Sequence, residues 1–210
     1  GGGGGFPATL ALARPRGEAV VKVGVNPMGD PWPAYAAWCL RHPGRFKPVV
    51  RSIRWHGNAG ALNRFYVASM DRLYTPLSAY RKGEYELLPP EEHRRMRTTT
   101  PLANEVIIAL SGWYRMLEDQ GIDYRRWHER ATDPRLAERL AKRFLKAGLK
   151  DLATFIRGLA AAFPSHMLDP QYHNWMFTQD GRLVLLDPFS RLPGEVPETA
   201  PRLLMGGRHA

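Results

Sequence analysis

Cysteine is almost absent from this sequence, and long apolar runs are absent altogether. Cys39 is the only cysteine, so an internal disulfide framework is excluded and a reducing compartment is indicated. No apolar run approaches the roughly 18 residues that mark a membrane span, and no signal peptide is visible. We therefore expect a cytoplasmic protein that does not interact with membranes.

Acidic residues are in the minority. The 210 residues include 30 Lys and Arg against 20 Asp and Glu, which gives a formal net charge of +10. Such a balance favours an acidic partner, whether a nucleotide, an acidic protein or a nucleic acid, and it does not choose among them. The seven histidines show no spacing of the H-E-x-x-H kind, so a zinc site is not expected.

Apolar residues are plentiful enough for a folded core. Hydrophobic residues make up 44% of the chain and aromatic residues 10%, which argues against disorder and permits one domain or two tightly joined lobes. β-forming runs predict strands at residues 18–24, 48–56 and 63–70, with a further strand start at residues 6–12 and a turn at residues 14–17.

Three helices are predicted from apolar residues that recur with a 3.6-residue period. They cover residues 30–41, 102–120 and 135–162. Gly121 is expected to end the second as a C-cap, and the third, capped by Asp133-Pro134, is either whole or broken near Gly148. Residues 74–102 contain several prolines and many basic side chains, which indicates a connection with a short helix.

The most informative stretch is residues 165–190, which read S-H-M-L-D-P-Q-Y-H-N-W-M-F-T-Q-D-G-R-L-V-L-L-D-P-F-S. The dipeptide Asp180-Gly181 separates two β-forming runs, which is the pattern of a β-hairpin. Asp169, Asn174 and Asp187 flank this hairpin, so we expect their side chains to lie close together. The alternative is an ordinary hairpin with surface Asp and Asn side chains.

An acid, an amide and a second acid in this arrangement suit phosphoryl transfer. Asp169 is the candidate to accept a proton from a substrate hydroxyl, while Asn174 and Asp187 offer oxygen ligands to Mg²⁺ on a nucleotide. The spacing D-x-x-x-x-N followed by D-P-F resembles the catalytic loop and metal-binding Asp of protein kinases. Met167 and Leu168 stand where kinases usually carry His and Arg, and D-P-F stands for D-F-G.

The N-terminal part of the sequence carries the same resemblance. A glycine run, a strand, a turn and V-V-K-V follow one another in the order of a kinase small lobe, which implies that Lys22 contacts the phosphates of ATP. The residues that the resemblance assigns to nucleotide binding are Gly2, Gly3, Gly4, Gly5, Phe6, Lys22, Ala68, Ser69, Met70, Asn174 and Asp187. The alternative for the glycine run is a remnant of an expression tag.

Six segments taken together narrow the resemblance. In order, they read G-G-G-G-F-P-A, A-V-V-K-V-G, A-Y-A-A-W-C, F-Y-V-A-S-M-D-R-L, D-P-Q-Y-H-N-W-M-F and L-L-D-P-F-S. This series resembles the early serine/threonine protein kinases of short-tailed, T-seven-like bacteriophages. The resemblance implies ATP- and Mg²⁺-dependent phosphorylation of bacterial host proteins in the host cytoplasm.

The fold expected from this resemblance is α+β and two-lobed, like that of protein kinases. Residues 1–73 are predicted to form an antiparallel-sheet N-lobe with one helix. Residues 74–190 are predicted to form a reduced helical C-lobe that carries the catalytic hairpin. Residues 191–210 are rich in Pro, Gly and Arg and are predicted to form a tail.

Departures from the kinase pattern keep other functions open. The predicted helix at residues 30–41 lacks the Glu that pairs with the strand Lys, and Gln171, Tyr172 and His173 stand where a cation often follows the catalytic Asp. These departures favour one alternative, a pseudokinase or basic binding module that captures a host protein or nucleic acid. The basic run at residues 91–97 indicates either a solvated face or a docking patch, and the aromatic–arginine run at 124–127 either a buried aromatic beside surface arginines or a stacking surface for nucleic acid. A small-molecule phosphotransferase of the aminoglycoside type is the other alternative.

Overall fold

A computed structural model describes residues 9–13, 19–25, 30–57, 64–121 and 135–190. The fold is mixed α+β, with small antiparallel sheets and several helices. The segments that lie outside the described residues include the glycine run with Phe6, the predicted turn at 14–17, the aromatic–arginine run at 124–127, the Asp133-Pro134 cap and the tail at 191–210.

The described strands and helices follow one another along the chain. The strands are β1 Thr9–Ala13, β2 Ala19–Val25, β3 Val50–His56, β4 Phe65–Asp71, β5 Tyr74–Pro76, β6 Met167–Leu168, β7 Trp175–Phe177, β8 Leu183–Leu185 and β9 Phe189–Ser190. The α-helices are α1 Trp32–Arg41, α2 Leu77–Lys82, α3 Pro90–Asp119, α4 Arg135–Lys146 and α5 Lys150–Ala162. Short 3-10 helices cover Glu84–Leu87 and Tyr172–Asn174.

The described residues form two compact units. The first contains residues up to 42 together with 49–72, and the second contains 43–48 together with 73–190. The predicted N-lobe, residues 1–73, differs from the first unit because it includes residues 43–48. In the structure the carbonyl of Phe46 accepts a hydrogen bond from the backbone N–H of Leu185 at 2.9 Å, which joins this segment to the second unit.

Helix α1 of the first unit begins where the sequence predicts. Asp30 Oδ1 accepts a hydrogen bond from the backbone N–H of Trp32 at 3.0 Å, and Pro33 occupies the first turn, where its missing N–H does no harm. Tyr35 and Cys39 are buried on the side that packs against β3. The expectation of a buried thiol is therefore confirmed.

The sheet of the first unit has the strand order β1-β2-β4-β3, and every pairing is antiparallel. Tyr66, Ala68 and Met70 of β4 are buried and alternate with more exposed residues, as a sheet with one covered face requires. Gly24 lies opposite Tyr66, whose ring occupies the space that a side chain at position 24 would need. This close approach explains why a glycine stands within β2.

Helix α3 of the second unit corrects the expectation for residues 90–102, while the short helix expected within residues 74–102 is present as α2. Helix α3 is one helix of 30 residues, with Pro101 inside it. A proline removes one backbone hydrogen bond, and here the hydroxyls of Thr98 and Thr100 donate to the carbonyls of Arg95 and Met96 one turn earlier. Burial of the apolar side chains on both sides of the proline outweighs its local effect, a balance that sequence-based reasoning does not capture.

The predicted helix ends of this unit are confirmed. Gly121 follows α3 with a φ of 67°, and its N–H donates to the carbonyl of Glu118 at 2.8 Å. Gly148, with a φ of 79°, separates α4 from α5, so the broken form of the predicted third helix is the observed one. Within the described ranges, none of the helices combines the length and the apolar character that crossing a bilayer requires.

The core of the second unit joins these helices to the hairpin. Helices α4 and α5 pack on each other through buried leucines and Phe144. Phe144 meets Trp175 of β7 edge to face, with ring centroids 6.4 Å apart. Trp175 and Phe177 are fully buried, and each such side chain contributes about 2–3 kcal/mol to stability. The hairpin therefore rests on a packed base.

Candidate functional site

The hairpin predicted for residues 175–186 is present. Strands β7 and β8 pair antiparallel, with Trp175 opposite Leu185 and Phe177 opposite Leu183. The connecting loop spans residues 178–182, and Gly181 adopts a φ of 82° in it. The Asp-Gly dipeptide therefore marks the hairpin correctly, although the turn is longer than the two-residue form that this dipeptide favours.

Two short strands hold Asp169 beside the segment that follows Asp187. Strand β6 pairs antiparallel with β9, and Asp169 comes directly after β6. The backbone N–H of Asp169 donates to the carbonyl of Pro188 at 2.6 Å. This hydrogen bond holds Asp169 beside Pro188, which is the residue that directly follows Asp187 in the sequence.

Asn174 closes the same group of residues from the hairpin side. Its side-chain Nδ2 donates a hydrogen bond to the backbone carbonyl of Asp169 at 2.9 Å. The backbone carbonyl of Asn174 accepts a hydrogen bond from the N–H of Leu186 at 2.7 Å. Leu186 immediately precedes Asp187. The structure therefore brings together the three residues, Asp169, Asn174 and Asp187, that the sequence singled out.

The carboxyl group of Asp169 is half-buried. Burial raises its pKa, while hydrogen bonds from Ser190 and Gln171 and the charge of His173 act in the opposite direction. Ser190 Oγ donates to Asp169 Oδ2 at 2.9 Å. The carboxyl group therefore combines a raised pKa with direct contact to a hydroxyl.

Asn174 and Asp187 are suited to a magnesium ion that is shared with a nucleotide. The carbonyl of Asp169 can only accept a hydrogen bond, so it must face Nδ2 of Asn174, which leaves Oδ1 as the oxygen available to a cation. Mg²⁺ in nucleotide sites takes one or two protein oxygens and completes its octahedron with phosphates and water. The described residues contain no group of three or more His, Cys, Asp or Glu side chains arranged to hold a metal on their own.

Lys22 belongs to the first unit, on the covered face of its sheet. Its Nζ lies 3.9 Å from the centroid of the Trp32 ring, within the range of a cation–π interaction. The Trp32 ring stacks on Tyr66 with centroids 5.4 Å apart, and the Tyr66 hydroxyl donates to Asp30 Oδ2 at 3.1 Å. An aromatic ring at the start of α1 thus contacts the lysine, whereas the kinase pattern has a Glu in this helix.

The assignment of adenine binding to Ala68, Ser69 and Met70 needs correction. These residues lie in β4, which is an interior strand of the four-stranded sheet. Each has a register partner in β2 and in β3. Since the neighbours of an interior strand take up most of its backbone N–H and C=O groups, this position in the sheet does not suit backbone recognition of a nucleotide base.

The structure adds four residues that the sequence patterns do not indicate. In the second unit, only the pairing of β9 reveals the contact of Ser190 with Asp169. In the first unit, Trp32 contacts Lys22. In the sequence, Tyr172 only stands at a position where kinases often have a cation. Arg81, which lies over the Tyr172 ring, belongs to no recognisable motif. The one available signal was an aromatic residue inside a polar loop.

Comparison with known proteins adds no relative to this description. No protein-family model, no curated protein and no solved structure matches the chain. The function is therefore argued from the residues of the site and their geometry.

Proposed function

We propose that this protein is an ATP- and Mg²⁺-dependent phosphotransferase with a two-lobed, protein-kinase-like fold, and that it phosphorylates Ser or Thr hydroxyls of proteins. The single observation that carries the proposal is the convergence of Asp169, Asn174 and the Asp187 segment through backbone and side-chain hydrogen bonds. The four-stranded antiparallel sheet with one helix, which carries Lys22 on an inner strand, also supports it.

Asp169 is the proposed general base. The acceptor hydroxyl oxygen attacks the γ-phosphorus of ATP, the bond to the ADP oxygen breaks, and the hydroxyl proton passes to the Asp169 carboxylate and then to solvent. A carboxyl group whose pKa is raised by burial is a better base at neutral pH than an exposed one. Asn174 and Asp187 are the residues that would hold Mg²⁺, and the ion would supply positive charge to the phosphate oxygens of the nucleotide.

The contact between Ser190 and Asp169 supports this role. A candidate base must lie within about 2.6–3.2 Å of the atom whose proton it takes. Ser190 Oγ, at 2.9 Å from Asp169 Oδ2, meets that condition and shows that the carboxylate can reach a hydroxyl. An acceptor would approach the second carboxylate oxygen or displace Ser190.

A pseudokinase is the second candidate. The composition of α1 favours it, because this helix contains no Glu where the kinase pattern has one, and its Trp32 ring contacts Lys22 instead. Under this alternative the protein binds nucleotide and captures a host protein or nucleic acid without transferring phosphate.

Radiolabelled ATP distinguishes the two candidates. Wild-type protein is incubated with Mg²⁺, γ-labelled ATP and a bacterial lysate, beside the variants Asp169→Asn and Asp180→Asn. We expect labelled proteins with wild type and with Asp180→Asn, and a loss of about 10²–10⁴-fold in rate with Asp169→Asn.

Nucleotide binding is measured in parallel as the increase in melting temperature on adding ATP with Mg²⁺. Asp169→Asn should keep that increase, since its side chain is not a proposed metal ligand. Full transfer by Asp169→Asn would overturn the role of the base. Stabilisation by ATP without any labelled product, from protein or small-molecule acceptors, would favour the pseudokinase.

A further inference from the structure

Arg81 is fixed beside the loop that carries Asp169. The centre of its guanidinium lies 4.4 Å from the ring centroid of Tyr172, within the range of a cation–π interaction. Arg81 is in the last turn of α2, and α2 packs against the 3-10 helix Tyr172–Asn174. The position of the charge is therefore tied to the position of the loop.

Tyr172 is a firm support for that charge. Its side chain is buried, and its hydroxyl is hydrogen-bonded to Ser111 Oγ of α3 at 2.8 Å. Its ring also rests against Tyr114, with centroids 5.6 Å apart. A guanidinium held against a fixed ring loses little further freedom when it binds a partner.

The charge of Arg81 is not balanced by a carboxylate in the described part of the chain. Its neighbour Lys82 faces Glu84 at 3.9 Å, whereas Arg81 forms no salt bridge with any described residue and its side chain is exposed. The loop itself adds one basic side chain, His173, which is exposed as well. Arg81 therefore presents beside this loop a guanidinium that no described carboxylate pairs with in a salt bridge.

We propose that Arg81, held on the Tyr172 ring, binds an acidic side chain of the protein acceptor, so that acceptors with Asp or Glu close to the target hydroxyl are preferred. This inference rests on the proposed function. The planar fork of a guanidinium matches a carboxylate with two parallel hydrogen bonds. The net charge of +10 draws acidic segments to the protein in general, and Arg81 gives that attraction a fixed point beside the loop.

The test uses peptide binding and so does not depend on catalysis. Two fluorescent peptides of equal length carry Ala in place of the target Ser, one flanked by Glu residues and the other by Lys residues. Their dissociation constants are measured by fluorescence anisotropy at one salt concentration for wild type, Arg81→Glu, Arg81→Lys and Lys82→Glu. Circular dichroism melting verifies that each variant is folded.

Wild type should bind the acidic peptide about tenfold more tightly than the basic one, which is the size of one charge-assisted contact. Arg81→Glu should reverse that order. Arg81→Lys keeps the positive charge but lacks the planar guanidinium, so the ratio of the two dissociation constants should fall to about a third of its wild-type value. Lys82→Glu changes the net charge equally and should leave the order intact, with a change of less than about threefold.

Several results would overturn the inference. Equal binding of both peptides by wild type would do so, as would an unchanged order in Arg81→Glu or an equal reversal by Lys82→Glu. A weaker affinity of Arg81→Glu for ATP, with the peptide preference unchanged, would assign Arg81 to a nucleotide phosphate and also reject the inference. A clear peptide preference in a protein that transfers no phosphate would uphold the docking site and reject the proposed function alone.

Discussion

An Asp carboxyl group lies near each end of the β7–β8 hairpin, and the two carboxyl groups have different environments. At the tip, Arg182 Nε donates to Asp180 Oδ2 at 2.7 Å, and the hydroxyl of Thr178 donates to the other oxygen of the same carboxyl group. At the base, Asp169 is half-buried and receives a hydroxyl of Ser190, without a salt bridge to any described residue. The carboxyl group at the tip is paired with an arginine, whereas the one at the base accepts hydrogen bonds from the uncharged side chains of Ser190 and Gln171.

Electrostatics differ between the two ends in the same sense. Burial tends to raise the pKa of Asp180, but the hydrogen bonds from Thr178 and Arg182 outweigh it and lower the pKa below the ordinary range. For Asp169, burial dominates and the pKa is raised. Asp180 is therefore stabilising as a carboxylate, whereas Asp169 is held in a state that favours proton uptake, a pattern common at functional sites.

After the loss of transfer expected for Asp169→Asn, the next largest effect is expected from an amide at the base of the hairpin. Asn174→Ala removes the contact with the Asp169 carbonyl and one proposed oxygen ligand for Mg²⁺. We expect transfer to fall by about 10–100-fold and the Mg²⁺ concentration for half-maximal stabilisation by ATP to rise. A magnesium titration of the ATP-induced shift in melting temperature measures this.

Gln179→Ala is the matched control, because it removes an exposed amide at the tip. It should leave the magnesium titration unchanged. If both variants shifted the titration equally, the difference between the two ends would be lost.

Glycine at the tip provides the next test. Gly181 has a φ of 82°, and a side chain there would come within 2.6 Å of Thr98 Oγ1 and 3.0 Å of the Arg95 carbonyl on α3. Gly83 has a similar φ of 76° and no atom within 4 Å of the same position. Gly181→Ala should lower the free energy of unfolding by about 2–3 kcal/mol, and Gly83→Ala by about 1 kcal/mol.

Urea denaturation of both variants measures the difference, which reports the packing of the tip on α3. Transfer per folded molecule should stay unchanged in both, since neither residue touches the base of the hairpin. Equal destabilisation would show that left-handed strain alone matters at Gly181.

The smallest effect is a contrast in pH dependence. The raised folded pKa of Asp169 means that its ionisation opposes folding, so Asp169→Asn should gain stability relative to wild type as pH rises above the ordinary Asp value of about 4. The lowered folded pKa of Asp180 means the reverse. Its contribution, about 0.5–1 kcal/mol, is present above pH 4 and is lost as pH falls through the folded pKa.

Melting temperatures of the two variants and of wild type between pH 3 and pH 7 test this contrast. The curves of the two variants should diverge from that of wild type in opposite directions at neutral pH and approach it in acid. Divergence in the same direction would contradict the assignment of opposite roles.

Local patterns in the sequence predicted much of the fold and the centre of the site. The hairpin follows from β-forming runs around Asp180-Gly181, and the ends of α3 and α4 follow from Gly121 and Gly148, whose left-handed conformations only glycine adopts easily. The grouping of Asp169 and Asn174 follows from their places at one end of that hairpin. In each case the determining interactions act within a few residues or across one turn.

Other features depended on neighbours that are distant in the sequence. The prolines and basic residues before position 102 indicated a connection, yet α3 begins at Pro90 and continues through Pro101 because it buries apolar residues on both sides. The strand order placed Ala68 and its neighbours inside the sheet, where their backbone groups are already paired. No periodicity or motif contains either fact, because both depend on which elements pack together.

The sequence alone determined the chemical composition of the candidate site and the local turns that build it. An acid, an amide and a second acid around a hairpin are encoded by short-range conformational preferences. Only the tertiary structure decided which distant side chains meet: Ser190 and Asp169 or Arg81 and Tyr172 in the second unit, and Trp32 and Lys22 in the first. Pairs so far apart in the chain meet only when the packing of helices and sheets brings them together, and packing is a property of the whole folded unit.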